Sequence, residues 1–256
     1  MKKVSVITVC FNSSKTIRDT VESVLAQDYP NIEYIIVDGG STDGTMDIVC
    51  EYRHKISHVI SEPDRGIYDA MNKGIRVSTG DIVGMLNSDD IYLDSSVISD
   101  IVNQFDLSNA DSVYADLVIV DRKNIYKVIR FCSSKNFTVS HLRWGWMIPH
   151  PTFFVKRTCY DAFGLYKLDY RVSADFEMIA RLFWKKGISF SHLSRCIVRM
   201  RNGGISTTGF LWRIHQNLEI VRACKENGIY TNIFFILFKV PFKLLEYFKS
   251  GTKNVN

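Results

Sequence analysis

The chain has 256 residues, of which 46% are hydrophobic and 23% are charged, and this composition excludes an intrinsically disordered protein. The length suits one large α/β domain or one domain with an appendage. The net charge is +5, and most of the excess lies in residues 211–256, where seven Lys/Arg accompany three acids. A nucleic-acid-binding protein would spread its positive charge over the main domain, so we predict no nucleic-acid partner.

The first 90 residues alternate between strand and helix patterns. Apolar, β-branched runs predict strands at 4–11, 32–37, 58–60 and 81–86. Between them, helical spacing of apolar residues predicts helices that cover 17–25, 45–53 and 67–77. This alternation is typical of a mostly parallel sheet with helices on both faces.

Polar residues follow each of these four strands, namely Asn12, Asp38, Asp64 and the pair Asp89 and Asp90. Ligands of such sheets bind beyond the carboxyl ends of the strands, so we expect these side chains to share one site. Two adjacent acids at the end of a buried strand are costly without a partner, and a metal ion is the partner that we favour.

The second half is less regular. It predicts a helix at 95–105, an antiparallel strand pair at 112–120 and 125–131, and a strand at 150–155. A helix at 174–186, an extended segment at 188–200 and mostly helical structure from 210 onward follow. We find no internal repeat and no low-complexity segment.

The cysteines and the N-terminus bear on the cellular compartment. Six scattered cysteines form no Cys-x-x-Cys pair and have no zinc-finger spacing, which predicts reduced thiols in a cytoplasmic protein. The N-terminus enters a strand pattern directly and lacks a small-residue cleavage site, so we predict no signal peptide.

The apolar segment 233–245 is interrupted by Lys239 and Pro241, and it is too short to span a membrane. Together with its lysines, this pattern favours an interfacial helix on an anionic membrane surface, which predicts a peripheral position on the cytoplasmic face. The alternatives are a helix packed on the main domain or on a second subunit. We predict no oligomeric state.

Seven segments carry motifs in a fixed order, at 5–12, 36–45, 62–74, 87–90, 150–154, 173–177 and 203–206. In this order they resemble the family 2 glycosyltransferases with a GT-A fold, which use a nucleotide-sugar donor and invert the anomeric centre. The resemblance implies an α/β GT-A fold with a Rossmann-like, mostly parallel central sheet flanked by helices. It covers about residues 4–206, which implies a catalytic domain at 1–208. Residues 209–256 carry no family motif, and their composition and spacing predict a basic, aromatic-rich helical extension.

The resemblance assigns roles to individual residues. It implies that Asp89 and Asp90 hold Mn²⁺ or Mg²⁺, and that Asp175 is the general base. Asn87 stands where the family pattern has an acid, which leaves open which of the two acids binds the metal directly. Candidate contacts of the nucleotide-sugar are Thr8, Asn12, Asp38, Asp64, Gly66, Asp69, Asn72, Lys73, Asp89 and Arg201.

Several of these residues have a structural alternative. Asp38 can serve as a turn residue, Lys73 as a solvated helix residue, and Asp175 as a helix N-cap. Glu177 is the alternative base if the register of this segment against the family motif is shifted.

The remaining candidates concern the acceptor and the diphosphate. His150 is a candidate contact of the acceptor, phosphate or metal, or a structural histidine. Arg199 and Arg201 are candidate clamps of the diphosphate, or belong to an exposed strand edge. Aromatic residues that could stack on acceptor sugars, or pack in the interior, are Trp144, Trp146 and Tyr166.

From these features we predict a metal-dependent inverting glycosyltransferase with a nucleotide-sugar donor, UDP-linked in preference. Its predicted acceptor is a glycan on a lipid carrier in surface polysaccharide synthesis. One alternative is a nucleotidyltransferase, but such an enzyme needs a Gly-rich phosphate loop and residues 10–14 contain no glycine. The other alternative is a non-catalytic module that binds nucleotide-sugars.

Overall fold

The computed structural model describes residues 1–203 and 210–237. Its first half alternates strands and helices, as predicted. The strands are β1 (Val4–Cys10), β2 (Ile32–Asp38), β3 (His58–Ser61) and β4 (Ile82–Met85), and the helices are α1 (Ile17–Leu25), α2 (Thr45–Glu51) and α3 (Ile67–Val77). A 3₁₀ turn, Arg53–Lys55, follows α2.

The four strands are parallel, in the order β3-β2-β1-β4. Their register aligns Cys10 with Asp38 and Asp38 with Ser61, so the strands end along one edge of the sheet. The sequence prediction of a shared edge for the polar strand ends is therefore confirmed for this half.

The second half adds mixed pairing to the same sheet. Its strands are β5 (Asp90–Tyr92), β6 (Ser112–Val120), β7 (Val128–Cys132), β8 (Phe154–Lys156) and β9 (Phe190–Arg201). Strand β8 is antiparallel to β4 and β6, whereas β9 runs parallel to β6 and antiparallel to β5. Strand β7 pairs with β6 as the predicted antiparallel hairpin.

The remaining helices are α4 (Val97–Ser108), α5 (Arg157–Phe163), α6 (Ala174–Ala180), α7 (Phe210–Glu226) and α8 (Ile233–Leu237). A π-helical turn, Arg181–Lys185, continues α6, so the predicted helix at 174–186 has the expected extent. Short 3₁₀ turns cover Val139–Trp144 and His150–Thr152. The sequence analysis did not predict β5, α5 or the turn at Val139–Trp144.

The prediction of a strand at 150–155 is wrong at its start. Residues His150–Thr152 form a 3₁₀ turn, and the strand begins only at Phe154. Pro151 explains the difference, because proline has no backbone N–H to contribute to a sheet.

Helices cover both faces of the sheet, and each face has its own core. Apolar side chains of α1, α2 and α4 pack on one face, represented by Val21, Val49 and Ile101. Those of α3, α5 and α6 pack on the other, represented by Met71 and Ile179.

Helix α7 joins the second of these cores. Its residues Ile220, Ala223 and Cys224 are buried there together with residues of α6. The start of the predicted extension at 209–256 therefore packs as part of the main body. Most of the apolar segment 233–245, and the end of the motif at 203–206, lie outside the described residues.

Candidate active site

The turn after β1 is fixed against the turn after β2. Asn12 adopts a left-handed conformation with φ of 49°, which Asn tolerates better than most residues. Its side-chain oxygen accepts from the Thr42 backbone N–H at 2.9 Å, and its own N–H donates to Ser41 Oγ at 2.8 Å. Asn12 therefore lies at the predicted edge of the sheet, where it fixes the two turns against each other.

Asp38 is fully buried at the end of β2. Burial alone would raise the pKa of its carboxyl, but hydrogen bonds from Ser41, Ser61 and Gly40 outweigh burial and lower the pKa. The Ser61 hydroxyl donates at 2.7 Å, and the backbone N–H of Gly40 donates at 3.1 Å. These hydrogen bonds keep the Asp38 carboxyl ionised, and through them Asp38 organises the turn. This is the structural role that the sequence analysis named as the alternative to nucleotide binding.

Asp64 lies directly over Gly39 in the same turn. A Cβ atom added to Gly39 would stand 2.4 Å from Asp64 Oδ2, so only glycine permits this approach. The other carboxylate oxygen of Asp64 accepts from the backbone N–H of Gly66 at 2.8 Å. Gly66, with φ of 112°, begins helix α3. The loops at 38–41 and 62–66 therefore meet as predicted.

Three predicted residues of α3 are engaged in the protein itself. Asp69 accepts from the Arg65 backbone N–H at 3.1 Å, and Lys73 forms an ion pair with Glu62 at 2.8 Å. Asn72 exchanges two hydrogen bonds with the backbone of Tyr166, at 2.8 and 2.9 Å. Asn72 therefore joins α3 to the second half of the chain, and its amide is not presented to a ligand.

Asp89 lies in the loop between β4 and β5, and Asp90 is the first residue of β5. Burial raises the pKa of the Asp89 carboxyl, and burial together with the charge of Asp89 holds the pKa of Asp90 well above its ordinary value. Asp90 Oδ1 and Asn87 Oδ1 are buried and have no hydrogen-bond partner among the described residues. Unsatisfied buried oxygens of a carboxylate and an amide fit a hard divalent cation.

The neighbouring turn is fixed to this loop. The hydroxyls of Ser13 and Ser88 lie 2.8 Å apart, and Thr20 of α1 donates to the Asp90 carbonyl at 2.7 Å. Because one contact comes from the turn after β1 and the other from helix α1, the acid pair is held beside the end of β1.

The two predicted arginine clamps differ in position. Arg201 is buried, donates to the Asp89 carbonyl at 2.9 Å and pairs with Asp19, so it contacts the acid loop. Arg199 donates to the Leu93 carbonyl at 3.1 Å, and its guanidinium lies over the Tyr126 ring. Only Arg201 is therefore adjacent to the acid loop through a described contact.

The candidate base is connected to the donor loops through Tyr68. Asp175 is partly exposed in the first turn of α6. The hydroxyl of Tyr68, near the start of α3, donates to the Val172 carbonyl at 2.6 Å and lies 3.3 Å from Asp175 Oδ1. Burial raises the pKa of Asp175, and the nearby His150 opposes this rise. The hydroxyl of Tyr68, from helix α3, thus helps to orient the Asp175 carboxyl.

His150 and Tyr166 are buried beside this base. His150 Nε2 and the Tyr166 hydroxyl lie 2.7 Å apart. Burial lowers the pKa of His150, with Asp175 acting in the opposite direction. Tyr166 also stacks on Tyr68 at 5.9 Å between ring centroids, so it follows the packing alternative rather than the sugar-stacking one.

Two predicted site residues are buried and engaged with other protein side chains. Glu177 is completely buried in ion pairs with Arg181 at 3.1 Å and Lys167 at 3.2 Å. Its carboxylate is therefore unsuited to act as the alternative base. Thr8 is also fully buried, and its hydroxyl accepts from Tyr34 at 3.1 Å.

The sequence analysis missed three residues at this site. Phe11, directly after β1, is 62% exposed and adjoins the turn of Asn12. Arg122, in the β6–β7 turn, is close enough to lower the pKa of Asp89. Tyr68 lies in the motif segment 62–74, but its contact with Asp175 depends on tertiary structure.

Comparison with known proteins shows the family of this chain. A family model described as Glycosyl transferase family 2 matches residues 5–159. The chain belongs to this family. An uncharacterized glycosyltransferase of Mycobacterium tuberculosis is 33% identical over 180 residues, which cover 70% of this chain and 68% of the relative. A PGL/p-HBAD biosynthesis glycosyltransferase of Mycobacterium bovis is 26% identical over 209 residues, covering 80% and 79%.

Solved structures support the GT-A fold of this glycosyltransferase. TarS of S. aureus in complex with UDP-GlcNAc superposes with a TM-score of 0.67 at 18% identity, covering 89% of this chain and 68% of TarS. The mannosyltransferase PcManGT of Pyrobaculum calidifontis, in complex with GDP-Man and Mn²⁺, gives a TM-score of 0.67 at 19% identity, with coverage of 97% and 73%. Among the described residues, no helix of the glycosyltransferase is long and apolar enough to cross a membrane.

Proposed function

We propose that this family 2 glycosyltransferase is metal-dependent and inverting, and that its donor is a UDP-sugar. One observation carries the proposal. The buried acid loop, the turns of Asp38 and Asp64, and the base Asp175 form a continuous series of contacts through Ser13, Gly39 and Tyr68. Complexes of neighbours with UDP-GlcNAc and with GDP-Man and Mn²⁺ support the donor class and the metal.

The acid loop forms the leaving-group half of the site. Asn87, Asp89 and Asp90 would hold Mn²⁺ or Mg²⁺, because two of their buried oxygens have no other described partner. When bound, the cation neutralises negative charge on the departing nucleoside diphosphate. Arg122 adds a positive charge close enough to lower the pKa of Asp89. Arg201 keeps the loop in place through its contact with the Asp89 carbonyl.

The turns of the parallel strands hold the nucleoside. The exposed ring of Phe11 offers a flat surface for a base, and Gly39 lets the Asp64 carboxylate lie close against the turn after β2. Asp64 lies partly exposed above that glycine, where its free lone pairs can accept from a ribose hydroxyl or a base edge. Asp38 acts through the turn that it organises.

The base half of the site acts on the acceptor. Asp175 takes the proton of the acceptor hydroxyl while the oxygen of that hydroxyl attacks the anomeric carbon. The bond between that carbon and the diphosphate oxygen breaks on the opposite face, so the configuration inverts and the nucleoside diphosphate leaves. The hydroxyl of Tyr68 orients the carboxylate, and His150 supplies a second polar neighbour.

We further propose that the acceptor is a lipid-linked glycan at the cytoplasmic face of the membrane. The M. bovis relative is named for PGL/p-HBAD biosynthesis, and a 95-residue match links this chain to a poly-beta-1,6-N-acetyl-D-glucosamine synthase of Staphylococcus epidermidis. Phe234 of α8 is 79% exposed, and Arg143 lies beside the exposed Tyr230. Exposed aromatics with adjacent basic residues suit an anionic membrane surface.

The test is release of nucleoside diphosphate from UDP-sugars and GDP-mannose with lipid-extract acceptors. The assay is run with Mn²⁺ and again after treatment with EDTA. We expect UDP release that requires both Mn²⁺ and Asp175, with Asp175→Asn lowering turnover by about 10²-fold or more. Binding of UDP without release from any donor would indicate a non-catalytic module. Turnover that EDTA does not change would contradict metal dependence.

A further inference from the structure

The carboxylate of Glu219, on helix α7, accepts three backbone hydrogen bonds from one short loop. The N–H of Arg171 donates to Oε1 at 2.7 Å, and the N–H groups of Val172 and Ser173 donate to Oε2 at 2.9 and 2.8 Å. Consecutive backbone donors on one ionised side chain form strong, geometrically specific bonds. The loop at 171–173 therefore has its conformation fixed by a residue 46 positions later in the chain.

This loop leads directly into the candidate base. Ser173 is the N-cap residue of α6, and Asp175 lies in the first turn of that helix. The Val172 carbonyl accepts from the hydroxyl of Tyr68, which also contacts Asp175 Oδ1. Glu219 and Tyr68 thus hold the same peptide segment from opposite sides, one through its N–H groups and the other through a carbonyl.

Helix α7 is well placed to act as a fixed support. Its residues Ile220 and Cys224 are buried in the core that contains α6. A separate carboxylate of α7, Glu226, pairs with Lys167 at 2.7 Å and Arg222 at 2.7 Å, and has no described bond to the loop at 171–173. The two carboxylates therefore have different partners, and Glu219 is the one that binds the loop at 171–173.

We propose that Glu219 is a positioning residue for glycosyl transfer, which holds the loop at 171–173 so that Asp175 meets the acceptor hydroxyl. The inference rests on the proposed function, because it takes Asp175 as the base. Displacement of a catalytic group by about 1 Å can lower the rate by about 10²-fold. Loss of Glu219 therefore acts on the chemical step, while the donor site at the strand ends stays intact.

The experiment compares Glu219→Gln with the matched control Glu226→Gln. For Glu219→Gln we expect kcat to fall by about ten- to a hundred-fold, with the Kd for UDP in Mn²⁺ within about two-fold of the parent. Hydrogen exchange followed by mass spectrometry should show faster exchange of the amides at 171–173 in this variant only. Glu226→Gln should lower the melting temperature but keep kcat.

The variants also separate the possible failures. If the parent protein releases no nucleoside diphosphate, the proposed function fails, while hydrogen exchange still reports on the loop. If Asp175→Asn abolishes turnover but Glu219→Gln keeps full kcat, the positioning role is refuted and the proposed function stands. Should Glu219→Gln not fold, Glu219→Asp retains the charge one methylene shorter. Its kcat should fall at unchanged UDP affinity, and an unchanged kcat would likewise refute the role.

Discussion

Glu33 lies at the start of β2, at the opposite end of the strand from Asp38, and it is only 3% exposed. Burial would raise the pKa of its carboxyl, but hydrogen bonds from Lys3, Ser5 and Thr79 outweigh burial and lower the pKa to about 2, from an ordinary value of 4.5. At 1.36 kcal/mol per pKa unit, the ionised form contributes about 3 kcal/mol to folding at pH 7.

The folded-state pKa is the lower one, so this contribution is complete above the unfolded value of 4.5 and is lost as the pH falls through about 2. At pH 3 about 1 kcal/mol should remain. We expect Glu33→Gln to lower the free energy of unfolding by about 3 kcal/mol at pH 7, and by much less at pH 3.

Urea unfolding, followed by tryptophan fluorescence at both pH values, measures this difference. Asp161→Asn, which removes an exposed ion pair with Arg157, is the control and should change stability by less than about 1 kcal/mol. UDP affinity should be unchanged by Glu33→Gln. A loss of stability that stays equal at pH 7 and pH 3 would refute the reasoning, because the effect would then not depend on ionisation.

Three further predictions concern the site. Asp90→Asn should abolish the thermal shift produced by Mn²⁺ and raise the stability of the metal-free protein by on the order of 1 kcal/mol, measured by thermal unfolding with EDTA. An unchanged Mn²⁺ shift would place the cation elsewhere. Gly39→Ala should lower UDP affinity about tenfold by displacing Asp64, and titration calorimetry would show equal affinity if Asp64 plays no part. Because burial raises the pKa of Asp175, kcat should begin to fall on acidification at a pH above the ordinary pKa of an Asp carboxyl. A pH–rate profile in which kcat falls only at that ordinary pKa would contradict this.

The fold of the first half was predictable because its signals are local. Apolar strands and helical stripes alternate, and parallel pairing places Asn12, Asp38 and the acid pair on one edge. The second half was harder, because its strands pair across long sequence separations. Strand β5 has only three residues and depends on β9, more than a hundred positions away, so no local pattern could indicate it.

The candidate site shows the same division. The acids at the ends of strands were predictable from residue type and position. The ion pair between Glu177 and Arg181 was not predictable, because a carboxylate in the first turn of a helix can face either solvent or the interior. Only packing of α6 between the sheet and α7 decides between them.

The two halves of the site differ in how they are supported. The leaving-group half is built from turns that fix one another locally, such as Ser13 against Ser88. Under the positioning role proposed for Glu219, the base half depends on this residue, which lies beyond the residues 5–159 matched by the family model. Recognition of the donor and activation of the acceptor would thus rest on separate parts of the chain, and variation in α7 could alter the second without changing the first.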